Sequence, residues 1–167
     1  MAGGGDGARL IRETAAWLDG HRIPDEALAE LGERRGLLGI GRRPALTPVT
    51  RVWRLGVLLV DAAGGAYATG ALTRAVPPRH SNYQSVSGEQ RRDIRRLAYE
   101  SSAFREGESI NYAAVRLDLD DEALARGSGP LLLVDGMVTV EWARGQSRVP
   151  LERYLQDRRA LLLPRVE

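Results

Sequence analysis

The chain has 167 residues, of which 43% are hydrophobic and 28% are charged, and its formal net charge is +2. This length predicts one soluble domain that buries roughly two-thirds of the surface of its unfolded chain. All 24 basic residues are arginine and there is no cysteine, which excludes disulfides, thiolate metal sites and lysine-dependent catalytic motifs. Exclusive use of arginine is typical of a GC-rich bacterial genome, so the arginine count alone indicates no function.

The N-terminal sequence, MAGGGDGARL, lacks the charged start and the apolar run of a secretory signal. No stretch of the chain approaches the roughly 18 apolar residues of a membrane span. We therefore expect a cytoplasmic protein without membrane association. Residues 1–6 are expected to be disordered, and residues 7–163 to form a single α+β domain.

The first part of that domain has helical periodicity. Residues 7–19 place a set of largely apolar side chains on one side at helical spacing: Leu10, Ile11, Thr14, Ala15, Trp17 and Leu18. Asp6 is a suitable N-cap, and Pro24 can open a second helix of sequence PDEALAEL that ends at Gly32. These signals predict a helical hairpin over residues 7–32.

Residues 33–48 are rich in glycine, proline and arginine and are predicted to be a linker. The sheet is expected in residues 49–163, beginning with the β-branched and apolar run VTRVWRLGVLLV as one inner strand over residues 49–60. A turn at residues 61–65 leads to a second strand, AYATGALTRA. Gly70 in this strand indicates a bulge or the close approach of another backbone. The two runs predict a central hairpin.

Residues 109–119 predict another strand, with Ala113, Val115 and Leu117 on one face. Four acids follow closely: Asp118, Asp120, Asp121 and Glu122. Such hard oxygens can bind Mg²⁺ or Ca²⁺, but we prefer a structural interpretation without a metal. In that interpretation Asp120 or Asp121 caps a short helix that ends at Gly127, and acids gather in its first turn.

The C-terminal part contains the clearest hairpin. Two predicted strands, residues 130–134 and 137–143, flank Asp135 and Gly136, a pair that suits a type I′ turn. Apolar and polar side chains alternate in the second strand. Pro150 then opens a last helix, whose predicted buried stripe is Leu151, Tyr154, Leu155 and Leu162. Because hairpins outnumber crossovers, the sequence predicts a mostly antiparallel sheet of about five strands with helices packed on it.

Between these strands lies an arginine-rich helix. Ser87 and Gln90 have the spacing of a capping box, and Gly107 is a plausible stop. In a helix that starts at this capping box, the side chains of Ile94, Leu97, Ala98 and Ser101 would form the buried side. Four arginines and one tyrosine then share the opposite side: Arg91, Arg92, Arg95, Arg96 and Tyr99.

This arginine side admits two interpretations. It is either a solvated face whose arginines pair with carboxylates elsewhere, or a site for phosphate or carboxylate, which the planar guanidinium matches with two hydrogen bonds. Charge is unevenly distributed along the chain. Residues 34–99 hold 12 arginines and three acids, a net charge of +9, and the remainder holds 12 arginines and 19 acids, a net charge of −7. This asymmetry favours an anionic partner if the basic segment gathers on one surface.

A long polar connection over residues 76–86 leads into the N-terminus of this helix, where backbone amides favour anions. Its candidate residues are Arg79, His80, Ser81, Asn82 and Tyr83. A histidine acting as general acid or base there, with a carboxylate from residues 118–122, would make the protein a small hydrolase-like enzyme. No spacing in the sequence ties these residues together.

The preferred prediction is a non-enzymatic binding module without a cofactor or metal. It would recognise RNA, a nucleotide phosphate or an acidic protein surface. The residues expected to bind the anion are Arg79, Arg91, Arg92, Arg95, Arg96 and Tyr99. Two alternatives remain: a homo-oligomeric or docking scaffold with no ligand chemistry, and the hydrolase-like enzyme that uses the 76–86 loop.

Overall fold

A computed structural model describes residues 5–35, 41–78 and 86–163. In these ranges the helices are α1 (Asp6–Gly20), α2 (Val86–Glu100), α3 (Asp121–Arg126) and α4 (Leu151–Ala160). The first five strands are β1 (Glu26–Arg35), β2 (Arg42–Leu55), β3 (Leu58–Asp61), β4 (Ala66–Ala68) and β5 (Ala71–Arg74). The remaining strands are β6 (Ser109–Tyr112), β7 (Val115–Arg116), β8 (Leu131–Val134), β9 (Met137–Val140) and β10 (Val149–Pro150).

The strands form two sheets. Seven of them are ordered β5-β6-β1-β2-β3-β4-β7, and three are ordered β10-β9-β8. β1 and β6 are parallel, whereas β3, β4, β5 and the strands of the smaller sheet pair in antiparallel fashion. The predicted α+β class is therefore confirmed, with a mixed and mostly antiparallel large sheet.

The chain divides into two compact units. The first comprises the residues up to Asp25, Val52–Thr69 and the residues from Val115 onwards; the second comprises Glu26–Arg51 and Gly70–Ala114. Strand β2 contributes to both units. Whether the chain behaves as the predicted single domain stays a prediction, and the predicted disorder of residues 1–6 falls mainly on residues outside the described ranges.

The core of the first unit contains the apolar stripe of α1. Ile11 and Leu18 are fully buried, as is every residue of β3 apart from slight exposure of Asp61. The stripe packs with the buried face of α4, where Leu151 and Leu155 lie. The predicted fourth member of the α4 stripe, Leu162, lies beyond the end of the helix and is 36% exposed, so that part of the prediction is wrong.

The second unit has its own smaller core. Buried side chains from β1, β2, β6 and α2 meet there: Ala27, Ala29, Leu46, Ile110, Tyr112 and Ala98. Phe104, which follows α2, packs into the same cluster. Within this unit β1 pairs in parallel with β6, with Ala27 opposite Ile110.

The predicted N-terminal helical hairpin is wrong in its second half. α1 forms, although Gly5 and not the predicted Asp6 is its N-cap. The segment PDEALAEL is not a helix, and its residues from Glu26 onwards belong to strand β1. Three consecutive residues of that strand, 27 to 29, are buried, which suits a strand covered on both faces. Tertiary pairing therefore overrides the local helix propensity of these residues. The predicted linker 33–48 is likewise mostly strand, because β1 runs to Arg35 and β2 starts at Arg42.

Three predicted single strands are each divided in two. The run over residues 49–60 reverses at Gly56, whose φ is +66°, and forms the β2–β3 hairpin. The 66–75 run separates into β4 and β5 at Gly70, and the 109–119 run breaks at Ala113, whose φ is +54°. These three divisions, together with the unpredicted strands β1 and β10, give ten strands among the described residues instead of about five.

Gly70 marks the predicted close approach of another backbone. A Cβ placed on this glycine would lie 2.1 Å from the carbonyl oxygen of Ala113. Any side chain at this position therefore collides with main-chain atoms that cannot rotate away. The prediction of a close backbone approach at Gly70 is confirmed.

Several locally encoded elements are confirmed. β8 and β9 form the predicted hairpin, and Asp135 and Gly136 have φ values of 49° and 77°, as a type I′ turn requires. Asp120 caps α3 through its side-chain oxygen, and Gly127 follows the end of that helix. None of the described helices has the length and apolar character needed to cross a membrane.

Candidate functional site

The arginine-rich helix predicted from the sequence exists as α2. It begins at Val86, so Ser87 lies inside the helix, and it ends at Glu100, before the predicted stop. Gly107 instead occupies a turn before β6 with a φ of 81°. Of the predicted buried side, Ser101 lies beyond the end of the helix and is only half-buried. The rest is confirmed, because Ala98 is fully buried and Ile94 and Leu97 pack around it. This contact places the helix against β5 within the second unit.

Helical geometry separates the charges of α2 into sectors. At about 100° per residue, the four arginines occupy roughly 140° of arc, and Tyr99 lies near the centre of that arc. The three acids of the helix, Glu89, Asp93 and Glu100, occupy roughly 40° of arc on its far flank, next to Arg96. The arginine sector therefore contains no carboxylate from its own helix. We call this sector, Arg91, Arg92, Arg95, Arg96 and Tyr99, the arginine face.

The arginines of this face differ in their partners. Arg96 forms an exposed ion pair of 3.3 Å with Asp93, and the Nε of Arg91 donates to the carbonyl oxygen of Ser87 at 3.2 Å. Arg92 and Arg95 make no hydrogen bond or ion pair with any residue in the described ranges. Tyr99 is 42% exposed. At least two guanidiniums without a described partner therefore lie on the same side of the helix as an exposed aromatic ring.

The other predicted site residues cannot be placed. Arg79, His80, Ser81, Asn82 and Tyr83 all lie outside the described residues. Their membership of an anion site, and the 76–86 loop as an enzyme site, therefore stay predictions. The structure brings together only the α2 part of the predicted constellation.

Elsewhere in the second unit, acids neutralise part of the basic segment. Arg42 pairs with Glu33 at 3.4 Å, and Arg51 pairs with Glu108. Burial disfavours the charge of Glu108, but hydrogen bonds from Arg51 and from the backbone amide of Arg105 outweigh it, so the pKa of Glu108 lies below its ordinary value. The interpretation as solvated, paired arginines therefore holds for these residues, whereas Arg92 and Arg95 of α2 have no such partner among the described residues.

The first unit contains a polar network that the sequence did not reveal. Asp61 is 6% exposed and accepts hydrogen bonds from the amides of Ala63 and Gly65 and from the hydroxyl of Tyr67. Arg116 in turn donates to the Tyr67 hydroxyl at 3.2 Å. Burial raises the pKa of Tyr67, and its hydrogen bond to the Asp61 carboxylate raises it further. The network satisfies Asp61 fully, so its first role is structural.

A cleft of about 470 Å³ lies beside this network, lined by residues 64–66 and 116–119. Asp118 is the member of the predicted acidic cluster that lines it. Asp120 instead accepts from the amide of Ala123 at 2.7 Å, which lowers the pKa of Asp120. Within the described ranges, no three histidine or acidic side chains gather as a metal site would require.

Comparison with known proteins leaves the function open. Searches against protein-family models, curated proteins and solved structures found no match. Function is therefore inferred from the chemistry of the described residues. In that respect the arginine face differs from the Asp61 carboxylate: Arg92 and Arg95 have no partner among the described residues, whereas Asp61 accepts three hydrogen bonds.

Proposed function

We propose that this protein is a binding module that recognises the phosphates of single-stranded RNA through the arginine face of α2. The observation that carries this proposal is the pair of unpartnered guanidiniums, Arg92 and Arg95, on a helix sector free of acids. Guanidinium groups present paired donors that match two phosphate oxygens at once. Arg92 and Arg95 therefore have the donors that such a ligand needs, and no described acceptor competes for them.

Like charges on the helix add a second reason. Residues three and four apart on a helix are neighbours, and each like-charged pair at this spacing costs a few tenths of a kcal/mol. Arg91 with Arg95, and Arg92 with Arg95 and Arg96, have this spacing. A bound phosphate relieves the repulsion, since each guanidinium then faces an anion.

The exposed tyrosine favours a nucleic acid over an acidic protein. Tyr99 lies three and four residues after Arg96 and Arg95, so its ring is next to two cations. Stacking of a base on an aromatic ring contributes about 1–3 kcal/mol per base and requires no particular base. Bases in single strands are free to stack in this way, whereas a carboxylate gains nothing from the ring.

Fluorescence anisotropy with a labelled, mixed-sequence single-stranded RNA at low salt tests the proposal. The test variant replaces the four arginines of the face with glutamine, which keeps a good helix former at each position. The control variant replaces four exposed arginines of the first unit with glutamine: Arg9, Arg126, Arg144 and Arg153. Both variants change the net charge from +2 to −2, so they separate a local surface from overall charge.

We expect the control variant to bind RNA nearly as well as the wild-type protein and the test variant to lose binding. Tyr99→Ala should weaken binding by about tenfold, because stacking of one base is lost. Equal binding by the two quadruple variants, with circular dichroism showing both folded, would contradict the proposal. No binding by the wild-type protein at low salt would contradict it as well.

A further inference from the structure

A second candidate site lies in the first unit. It is a groove of about 410 Å³ between α4 and the end of the β8–β9 hairpin. Its lining residues are Trp142, Val149, Arg153, Tyr154, Asp157, Arg158 and Leu161. This volume is within the range of sites that hold small organic ligands.

Most of the groove wall is apolar and accessible. Trp142 is 42% exposed and Leu161 is 72% exposed, so a ligand can reach both side chains. The Tyr154 hydroxyl does not compete for a ligand, because it donates to the carbonyl of Leu55 at 2.8 Å and accepts from the amide of Val57 at 2.9 Å. Tyr154 is 4% exposed, so only a small part of its ring, and not its hydroxyl, lines the groove.

The three charged residues of the groove have a net charge of +1. Arg153 and Asp157 lie 4.0 Å apart and balance each other. Arg158 makes no hydrogen bond or ion pair with any described residue. Its guanidinium carbon is 5.0 Å from the centre of the Tyr154 ring, a stacked arrangement that holds the group in place and leaves its edge donors for an anion.

Gly56 helps to position this arginine. A Cβ on Gly56 would lie 3.1 Å from both the Cζ and the Nε of Arg158 and 2.3 Å from the Tyr154 hydroxyl oxygen. The glycine thus makes room for the guanidinium above the β2–β3 turn. The positive φ of Gly56 adds a second reason for glycine at this position.

We propose that this groove binds a small monocarboxylic acid with an aromatic body. Trp142, Tyr154 and Leu161 would cover the apolar body, and Arg158 would bind the carboxylate. A single unpaired cation at the edge of an apolar groove complements one negative charge on an apolar molecule. A neutral molecule would leave Arg158 without a partner, and a dianion would exceed the charge available.

Nuclear magnetic resonance of the indole N–H groups provides a test with internal controls. The chain has three tryptophans, Trp17, Trp53 and Trp142, and only Trp142 lines the groove. The Trp142→Phe variant assigns its resonance. The probe is 1-naphthylacetate, and its neutral counterpart is 1-naphthylacetamide, which has the same aromatic body without the charge.

We expect 1-naphthylacetate to shift the Trp142 resonance in a saturable way and to leave Trp17 and Trp53 unchanged. The amide should bind at least tenfold more weakly to the wild-type protein, a difference of about 1.4 kcal/mol. Arg158→Gln should weaken binding of the acid by a similar factor. Arg159→Gln is the matched control: Arg159 stacks on Trp17 outside the groove, and this variant should retain the affinity for the acid.

Three results would overturn the proposal. Equal affinity of the wild-type protein for the acid and the amide would show that Arg158 does not bind the carboxylate. This comparison holds even if the Arg158→Gln variant fails to fold. Shifts of similar size in all three indole N–H resonances would indicate unspecific binding. A Trp142 resonance that moves with protein concentration alone, together with a dimeric mass in light scattering, would show that a second copy of the chain covers the groove.

Discussion

Removal of the Asp61 carboxylate is expected to destabilise the turn that joins β3 and β4. The two oxygens of this side chain have different partners. Oδ1 accepts from the amides of Ala63 and Gly65 at 2.9 and 2.7 Å, whereas Oδ2 accepts from the Tyr67 hydroxyl at 3.0 Å. Replacement by asparagine and replacement by alanine therefore remove different numbers of hydrogen bonds.

The magnitudes follow from these contacts. A buried donor that loses its acceptor costs about 1–3 kcal/mol. Asp61→Ala removes the acceptor of three donors and should lower the free energy of unfolding by about 3–5 kcal/mol. Asp61→Asn keeps one oxygen, which can still accept from both amides, and replaces the acceptor of the Tyr67 hydroxyl with an amide donor. Its expected cost is about 1–2 kcal/mol.

Urea denaturation followed by circular dichroism at pH 7 measures both values. Asp19, an exposed aspartate at the end of α1, provides the control, and Asp19→Asn should change the free energy of unfolding by less than about 0.5 kcal/mol. Ultraviolet titration gives a second readout. The Asp61 carboxylate contributes to the raised pKa of Tyr67, so Asp61→Asn should lower that pKa, with Tyr67→Phe identifying the signal. Equal destabilisation by Asp61→Asn and Asp61→Ala would refute this account of the network.

Two further predictions concern the second unit. Gly70→Ala should lower the free energy of unfolding by about 3 kcal/mol or more, since its Cβ would meet main-chain atoms at 2.1 Å. Gly32→Ala is the control and should be nearly neutral, because the added Cβ meets nothing within 4 Å. Comparable denaturation midpoints for the two variants would contradict this expectation. Glu108→Gln should lower the free energy of unfolding at pH 7 by about 1–2 kcal/mol, because the ionised carboxylate binds Arg51. Because the pKa of Glu108 is lowered in the folded protein, its carboxylate stabilises the fold above the ordinary glutamate pKa of about 4.3, and this stabilisation is lost as the pH falls through the folded value. The difference in free energy of unfolding between Glu108→Gln and the wild type should therefore vanish in acid. A constant difference from pH 7 to pH 3 would be inconsistent with this cause.

Elements encoded by adjacent residues could be predicted from the sequence. The turn of the β8–β9 hairpin follows from Asp135-Gly136, and the start of α3 follows from Asp120, because each signal acts within four residues. The opposite holds for β1. Its residues favour a helix locally, and only the parallel pairing with β6, more than 80 positions later in the chain, makes them a strand.

The same distinction applies to the candidate sites. The arginine face could be predicted because helical periodicity alone brings its five members together. The Asp61 network could not, since Tyr67 lies opposite Arg116 only through the pairing of β4 with β7. The groove beside Arg158 escaped prediction for a similar reason: Trp142 and Tyr154 meet there through tertiary packing, and no spacing in the sequence signals that contact.

The salt dependence of RNA binding tests the central claim most directly. For a single strand, the logarithm of the binding constant falls with the logarithm of salt concentration with a slope of about −0.7 for each phosphate neutralised. We predict a wild-type slope between about −1.4, for two phosphates, and about −2.8, for four. Replacing Arg92 and Arg95 with glutamine should make the slope shallower by about 1.4. An unchanged slope in this double variant would show that the unpartnered guanidiniums of α2 do not bind phosphate.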